Sequence, residues 1–445
     1  MKEVLGGNLQ MKKCTLVVPI AAVALLSFLL TSCGSSNSYD LHYFHVLTPQ
    51  AVETFPESAK IVEIAAATDR TLGLDEYGNV WAWGSNQFGG LGAGENFDDQ
   101  YTPINISQLT YSPLNNVIIK QISVGNHSLA LDIDGDVWAW GDNWHGQLGT
   151  GESGEDADEF FPVNISESFS SLEIVQISAE WTSSLALDEN GHVWAWGNGE
   201  DGRLGTGDIF SQEIPINISA ILDSPLADVR IAQISAGMSY SLALDEDGKI
   251  WAWGSNSFGQ LGTGNLCLQV LPINISTIPD SPLADVRIAQ ISAGAVHSLA
   301  LDENGEVWAW GSGSSHQLGT GTTRSQYSPT NISDIADSEF NRIKIVRVEA
   351  GRESSAIDSK GNAWAWGDNW HKELGVQDHR RQSSKRLPLN ISNIEDFTFY
   401  RRPIVQISSR GIVLLDDGSI YAWGDGYRGR LGIGDISEWA IPFED

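Results

Sequence analysis

Cysteine is scarce: three in 445 residues. Cys14 and Cys33 fall in an N-terminal leader, which leaves Cys267 alone in the body of the chain. No disulfide framework is therefore expected, and stability must come from packing. Cys267, between Leu266 and Leu268, reads as a small semi-buried hydrophobe rather than a nucleophile. No Cys-x-x-Cys or His-x-x-x-His pair is present, and His127, His192, His297, His316 and His371 are scattered, so no metal is expected. Basic residues are few: 26 Lys and Arg stand against 57 Asp and Glu, a formal net charge of −31. Losing residues 1–32 would remove three Lys and one Glu and take that to −33. Such a chain lacks the basic footprint of a nucleic-acid binder. His379, Arg380 and Arg381 with Lys385 and Arg386 form one local basic exception, either an interaction patch or a solvated loop.

Familiar catalytic signatures are also missing. There is no Gly-x-Ser-x-Gly elbow. The Gly-x-Leu-Gly-x-Gly turns lack the Lys-Ser/Thr and helix of a phosphate loop. Asp132-Ile-Asp134-Gly135 and Asp245-Glu-Asp247-Gly248 lack the bidentate Glu of a calcium loop and read as hairpin turns. No cofactor and no catalytic residue is expected.

Tryptophan, by contrast, is abundant and periodic. Trp-Ala-Trp-Gly begins at Trp81, Trp138, Trp194, Trp251, Trp308 and Trp364, with Tyr-Ala-Trp-Gly at Tyr421; the spacings are 57, 56, 57, 57, 56 and 57 residues. A fixed period of this length is the mark of a repeat architecture. Large and small side chains alternate in Val137-Trp-Ala-Trp-Gly141, so this is a strand with both Trp on one face. Its other face carries Val, Ala and Gly and leaves room for a neighbouring layer. Asp-Gly or Asn-Gly precedes most copies, as at Asp134-Gly135 and Asn304-Gly305, and marks a tight hairpin. A second strand, Ser-Leu-Ala-Leu-Asp, comes before that turn at 128–132 and 241–245. A third, such as Val175-Gln-Ile-Ser-Ala179, has small residues suited to a crowded inner position. A fourth, Pro-Ile-Asn-Ile-Ser at 103–107 and its counterparts, opens each unit. Its six Asn-Ile-Ser triplets (Asn105, Asn164, Asn217, Asn274, Asn331, Asn390) match the glycosylation pattern, but their periodicity marks them as structural. Four strands per unit and seven units predict an all-β, seven-bladed β-propeller with four strands per blade, over residues 48–445. Thr48-Pro49 and Ile441-Pro442-Phe443 both match the unit-opening strand, so one or both ends should close the ring beside the last blade.

This order of Ser-Leu-Ala-Leu-Asp, Asp/Asn-Gly, Trp-Gly and Gly-Gln-Leu-Gly resembles the repeat of the regulator of chromosome condensation family. The resemblance implies a seven-bladed propeller. In eukaryotes that family includes guanine-nucleotide exchange factors for a small nuclear GTPase, a role that an exported acidic chain without a wedge-like insertion does not fit. Secreted bacterial members that inhibit β-lactamase imply an alternative, an inhibitor of a β-lactamase or cell-wall enzyme. An alternative of another class is a propeller lyase or glycosidase, which lacks an acid/base cluster here.

Ahead of the repeats, Met11-Lys-Lys precedes an apolar run from Cys14 to Leu30 and then Leu30-Thr-Ser-Cys33. We read residues 1–32 as a lipoprotein signal, with Met11 a candidate start, Cys33 the lipidation site and residues 33–47 a linker. The competing reading is a transmembrane anchor, for which 17 residues is short. The chain is then exported, anchored by lipid at a bacterial cell envelope and facing away from the cytoplasm. The turn after each Trp strand varies most. We expect Phe88, Trp144, His145, Phe258, Trp370, His371 and Tyr427 to present a surface for a protein partner, on one rim of a monomeric disc. The competing reading folds each ring back over its own blade. His316 and Lys372 replace the first glycine of this turn and should be strained if positive φ is needed there.

Overall fold

The computed structural model describes residues 45–434, apart from 53–54, 56–58, 96, 337, 376–383, 395–401 and 409. Strand β1 (His45–Ala51) comes first, followed by β2 (Ile61–Ala66), β3 (Arg70–Asp75), β4 (Val80–Gly84) and β5 (Gln100–Asn105). Strands β2 to β5 form one antiparallel sheet, and five more sheets repeat the pattern in chain order. The seventh sheet joins Ile404–Ser408, Ile412–Leu415 and Ile420–Asp425 to β1. The fold is a seven-bladed β-propeller; among the described residues the only helical segments are short 3-10 turns.

Hydrogen bonding corrects the phase of the repeat. The Pro-x-Asn strand does not open a blade; it is the outer strand of the blade before, as Trp81 pairs with Asn105 and Trp138 with Asn164. A linear repeat has no natural starting point, and only the pairing reveals one. The same offset explains closure. Strand β1 has no Trp strand ahead of it in the chain, so it pairs with the last one, Gln50 opposite Ala422 and Ala51 opposite Tyr421. It begins at His45, inside the expected linker. The C-terminal segment 441–443 lies outside the described residues.

Each Trp strand works on two faces. The Val and Ala of blade 1 (Val80, Ala82), with Leu72 and Leu74, pack against Ile119, Ile122 and Trp140 of blade 2. Blade 3 meets Trp253 of blade 4 in the same way. The second Trp of all seven copies is fully buried. Truncating one to Ala should cost about 3–5 kcal/mol. In every copy but that of Trp83 its indole N–H crosses the seam, from Trp140 to the carbonyl of Gly90 at 3.1 Å and from Trp196 to that of Gln147 at 2.8 Å. The hydroxyl of Ser128 donates to the same Gly90 carbonyl, and that of Ser184 to Gln147. One turn carbonyl thus holds the next blade by two donors.

The first Trp stays at home. Asp75 accepts the backbone N–H groups of Tyr77 and Asn79 on Oδ1 and the Trp81 indole N–H on Oδ2 at 3.0 Å. Asp132, Asp188, Asp245, Asp302 and Asp358 do the same for their own Trp. These carboxylates serve turns, as expected, rather than calcium. The serine of Asn-Ile-Ser is equally structural: Ser107 Oγ accepts from Val80 N, and Ser166 Oγ from Val137 N.

Inner strands expose a backbone edge towards the axis, and side chains cover it. Gln121 accepts from the N–H of Ile177 in the next blade and donates to its carbonyl, both at 3.0 Å. Gln176, Gln233, Gln290 and Gln406 repeat this bidentate pairing. Such caps deny the edge to other chains. Cys267 is half-buried, as expected.

Candidate functional site

Antiparallel pairing places the turn after every Trp strand on one rim, together with the loop joining the inner strand to the second strand. The Asp-Gly and Asn-Gly hairpins occupy the opposite rim. On the first rim a buried Asn anchors the turn from below. Asn143 accepts from Leu148 N on Oδ1, while its Nδ2 donates to Thr150 Oγ1 and the Glu152 carbonyl. Asn86 and Asn256 make the same bond to Leu91 and Leu261. With the asparagine taken inwards, the two residues after it are pushed outwards.

Phe88 is 46% exposed, Trp144 56%, Phe258 48% and Trp370 57%. These four rings therefore stand out of the surface rather than folding under a neighbouring turn. Tyr427 departs from the group: its ring is half-buried, and the Arg428 guanidinium lies over it at 5.4 Å. Trp144, Trp370 and Tyr427 share the first outward position of the turn, whereas Phe88 and Phe258 share the second with His145 and His371. The backbone N–H groups of His145 and His371 are tied to Gln147 Oε1 and Glu373 Oε2. Partial burial lowers the pKa of His371, opposed by Asp425 at 4.0 Å. His316 and Lys372 do adopt φ of 64° and 67°, the region their glycine counterparts occupy. Cys33 lies outside the described residues, as do His379, Arg380 and Arg381.

Sequence reasoning missed Trp181. It is 39% exposed, sits in a loop of this same rim nearer the axis, and has φ of 50°. Its carbonyl accepts from Asn126 N of the preceding blade at 2.9 Å. A ring in a loop that carries none in the other blades, with Asn126, Met238 and Ala295 at comparable places, was the available signal. Also missed were the titratable groups buried beneath the rim. Burial pushes Glu353 up to about 8, helped by the Glu373 carboxylate and opposed by Arg410. In blades 2 and 5 the equivalent residue is His127 or His297, which bonds the next blade's Ser184 at 2.6 Å or Ser354 at 2.7 Å. Burial drives both imidazoles down to about 3, so they are neutral. In blade 7 the serine is replaced by Gly411, and Glu353 Oε2 is left with no hydrogen-bond partner. Neither Glu353 nor Glu373 lines the groove beside Trp144 and Glu213 or the one beside Gln87 and Arg428. No cluster of three metal-ligating side chains occurs among the described residues.

The profile described as RCC1-like domain matches residues 113–443, and the regulator of chromosome condensation (RCC1) repeat matches 77–131. The ultraviolet-B receptor UVR8 of Arabidopsis thaliana is 30% identical over 320 residues, 71% of this chain and 67% of that protein. The human E3 ubiquitin-protein ligase HERC2 is 30% identical over 361 residues, 79% of this chain but 7% of that protein. Among solved structures, Prp20p of Saccharomyces cerevisiae, described with its binding properties to Gsp1p and histones, superposes with a TM-score of 0.64 at 26% identity. It covers 82% of each chain.

Proposed function

The chain belongs to the RCC1-like domain family, and from that premise we propose that it is a non-enzymatic scaffold whose aromatic rim holds a protein partner at a cell envelope. The observation that carries this reading is the outward set of Phe88, Trp144, Phe258 and Trp370, standing on turns anchored by buried asparagines. Aromatic anchors of this kind concentrate binding energy, with losses of about 2 kcal/mol or more on truncation. Relatives support a protein partner: Prp20p is described with its binding properties to Gsp1p and histones, and the stretch of the ligase HERC2 that matches this chain is 7% of that protein. Fold alone does not transmit a partner, so neither of those is carried over. The protein acts as a monomer without a cofactor.

Anchoring is by lipid on Cys33. The Leu-Thr-Ser-Cys sequence that follows the apolar run from Cys14 to Leu30 supports this reading. Mass spectrometry of the processed protein should find Cys33 as the first residue with its lipid attached; an unmodified Cys33 or cleavage elsewhere refutes this. Crosslinking the intact protein on cells, followed by identification of what it holds, tests the scaffold reading. Recovery of a β-lactamase or cell-wall enzyme, with its activity lost on binding, would make the scaffold an inhibitor. Turnover of a sugar or ester would refute the non-enzymatic reading.

A further inference from the structure

Two seams of the ring carry grooves at equivalent places on the aromatic rim. Between blades 7 and 1 the groove measures about 470 Å³ and is lined by Asn86, Gln87, Phe97, Asp99, Tyr101 and Arg428. A guanidinium of this chain sits in it. Arg428 Nη1 donates to Ser85 Oγ at 2.9 Å and Gln87 Oε1 at 2.8 Å. Its Nε lies 4.0 Å from the Asp99 carboxylate, and the guanidinium carbon lies 5.4 Å from the Tyr427 ring centre. An aromatic face, neutral acceptors and a carboxylate together hold one cation, each by a known attraction.

Between blades 2 and 3 the groove is larger, about 560 Å³, and its walls include Trp144, His145, Ser153, Gln212 and Glu213. Trp144 stands where Tyr427 stands in blade 7, and His145 stands where Arg428 does. The aromatic face is present, Trp being the better one for a cation; Ser211 stands where Asp99 does, and the carboxylate is supplied instead by Glu213, two residues further on, at the place of Tyr101. The imidazole of His145 is shorter than the guanidinium it replaces. Glu213 Oε1 accepts the Ser153 hydroxyl at 2.6 Å, which steadies the carboxylate across the seam. With a formal charge of −31, the chain also draws basic partners towards it over long range.

We propose that the groove between blades 2 and 3 receives an arginine side chain from an extended segment of the protein partner, stacked on Trp144 and paired with Glu213. This rests on the reading of the rim as a partner surface and narrows the partner to one with an exposed arginine.

A fluorescein-labelled peptide, Gly-Gly-Arg-Gly-Arg-Gly-Gly, tests this by fluorescence anisotropy on the full chain. Its control is the same peptide with citrulline for both arginines, which keeps the shape and removes the charge. The arginine peptide should bind at least tenfold more tightly than the citrulline one. Trp144→Leu and Glu213→Gln should each weaken it about fivefold, whereas Glu189→Gln, an exposed carboxylate on the opposite rim, should not. Melting curves check that the variants fold; Glu213→Gln replaces an exposed side chain and serves if Trp144→Leu does not. Equal binding of the two peptides, absence of binding, or equal losses in all three variants overturns the proposal. If the citrulline peptide binds as well but a Trp144→Ala/Trp370→Ala double variant loses its cellular partner, the rim reading stands and the arginine assignment fails.

Discussion

Glu63 occupies the place that Gln121, Gln176, Gln233, Gln290 and Gln406 hold in other blades, and replacing it with Gln should stabilise the ring. At those seams one amide both accepts from and donates to the next inner strand, at 2.6–3.1 Å. Glu63 Oε1 accepts from Ile122 N at 3.4 Å, but an ionised carboxylate has no proton to offer the Ile122 carbonyl. Burial pushes its pKa up to about 7, against weaker lowering by the Ile122 N–H and by Arg347. The sign follows from linkage. The folded pKa lies above the unfolded one, so below pH 4.5 both states carry the proton and nothing is lost; stability falls as pH rises towards 7 and levels off above it. A shift of this size corresponds to at most about 3 kcal/mol. Solvent reaches part of the Glu63 side chain, and screening reduces that to about 1–2 kcal/mol. The restored amide donor adds about 1 kcal/mol above pH 7, where the carboxyl is ionised; at lower pH the protonated carboxyl has an O–H of its own to donate. Glu63→Gln should therefore raise the melting midpoint by about 2–4 °C at pH 8 and by clearly less at pH 5. Thermal unfolding followed by far-ultraviolet circular dichroism at the two pH values measures this. A lower midpoint at pH 8, or an equal shift at both, would refute the reasoning.

Two further perturbations follow from departures in blade 7 and from the closure. In that blade Leu415 replaces the turn aspartate and Tyr421 replaces its indole partner; Tyr421 is instead bonded by Arg402 Nη1 at 3.1 Å. Tyr421→Trp alone leaves the indole N–H without its carboxylate and should destabilise by about 1 kcal/mol; Leu415→Asp removes a buried core side chain and costs more by itself, but the double variant should lose less than the sum of the two; purely additive effects in chemical denaturation would contradict the pairing. Removing residues 45–51 uncovers the edge of the last Trp strand and should lower the melting midpoint by several degrees; an unchanged midpoint would show that β1 does not close the ring.

Local structure was legible wherever a single repeat contains its own cause. Trp-Ala-Trp-Gly marks a strand by alternation, and Asp-Gly marks a hairpin by its φ requirement. The turn aspartate meets its indole partner only six residues away. What crosses a seam was not legible. The Gln121–Ile177 pair spans 56 residues and the His127–Ser184 pair 57, so neither motif contains its partner. The unit phase failed for the same reason: Asn105 is adjacent in sequence to blade 2 but bonds to Trp81. At the rim the aromatic residues were visible as breaks in the repeat. Their direction depends on Asn86 and Asn143 being drawn inwards, which no pattern of types records.

The most direct test of the account is partner capture by the Trp144→Ala/Trp370→Ala double variant on intact cells, measured beside its melting curve. Both rings are more than half exposed, so the melting midpoint should move by little, within about 1 °C, as surface substitutions do. Crosslinked partner should fall to background, in keeping with the loss of two anchors at about 2 kcal/mol each. A large drop in melting midpoint with capture intact would show that these rings support the blades and that the partner surface lies elsewhere.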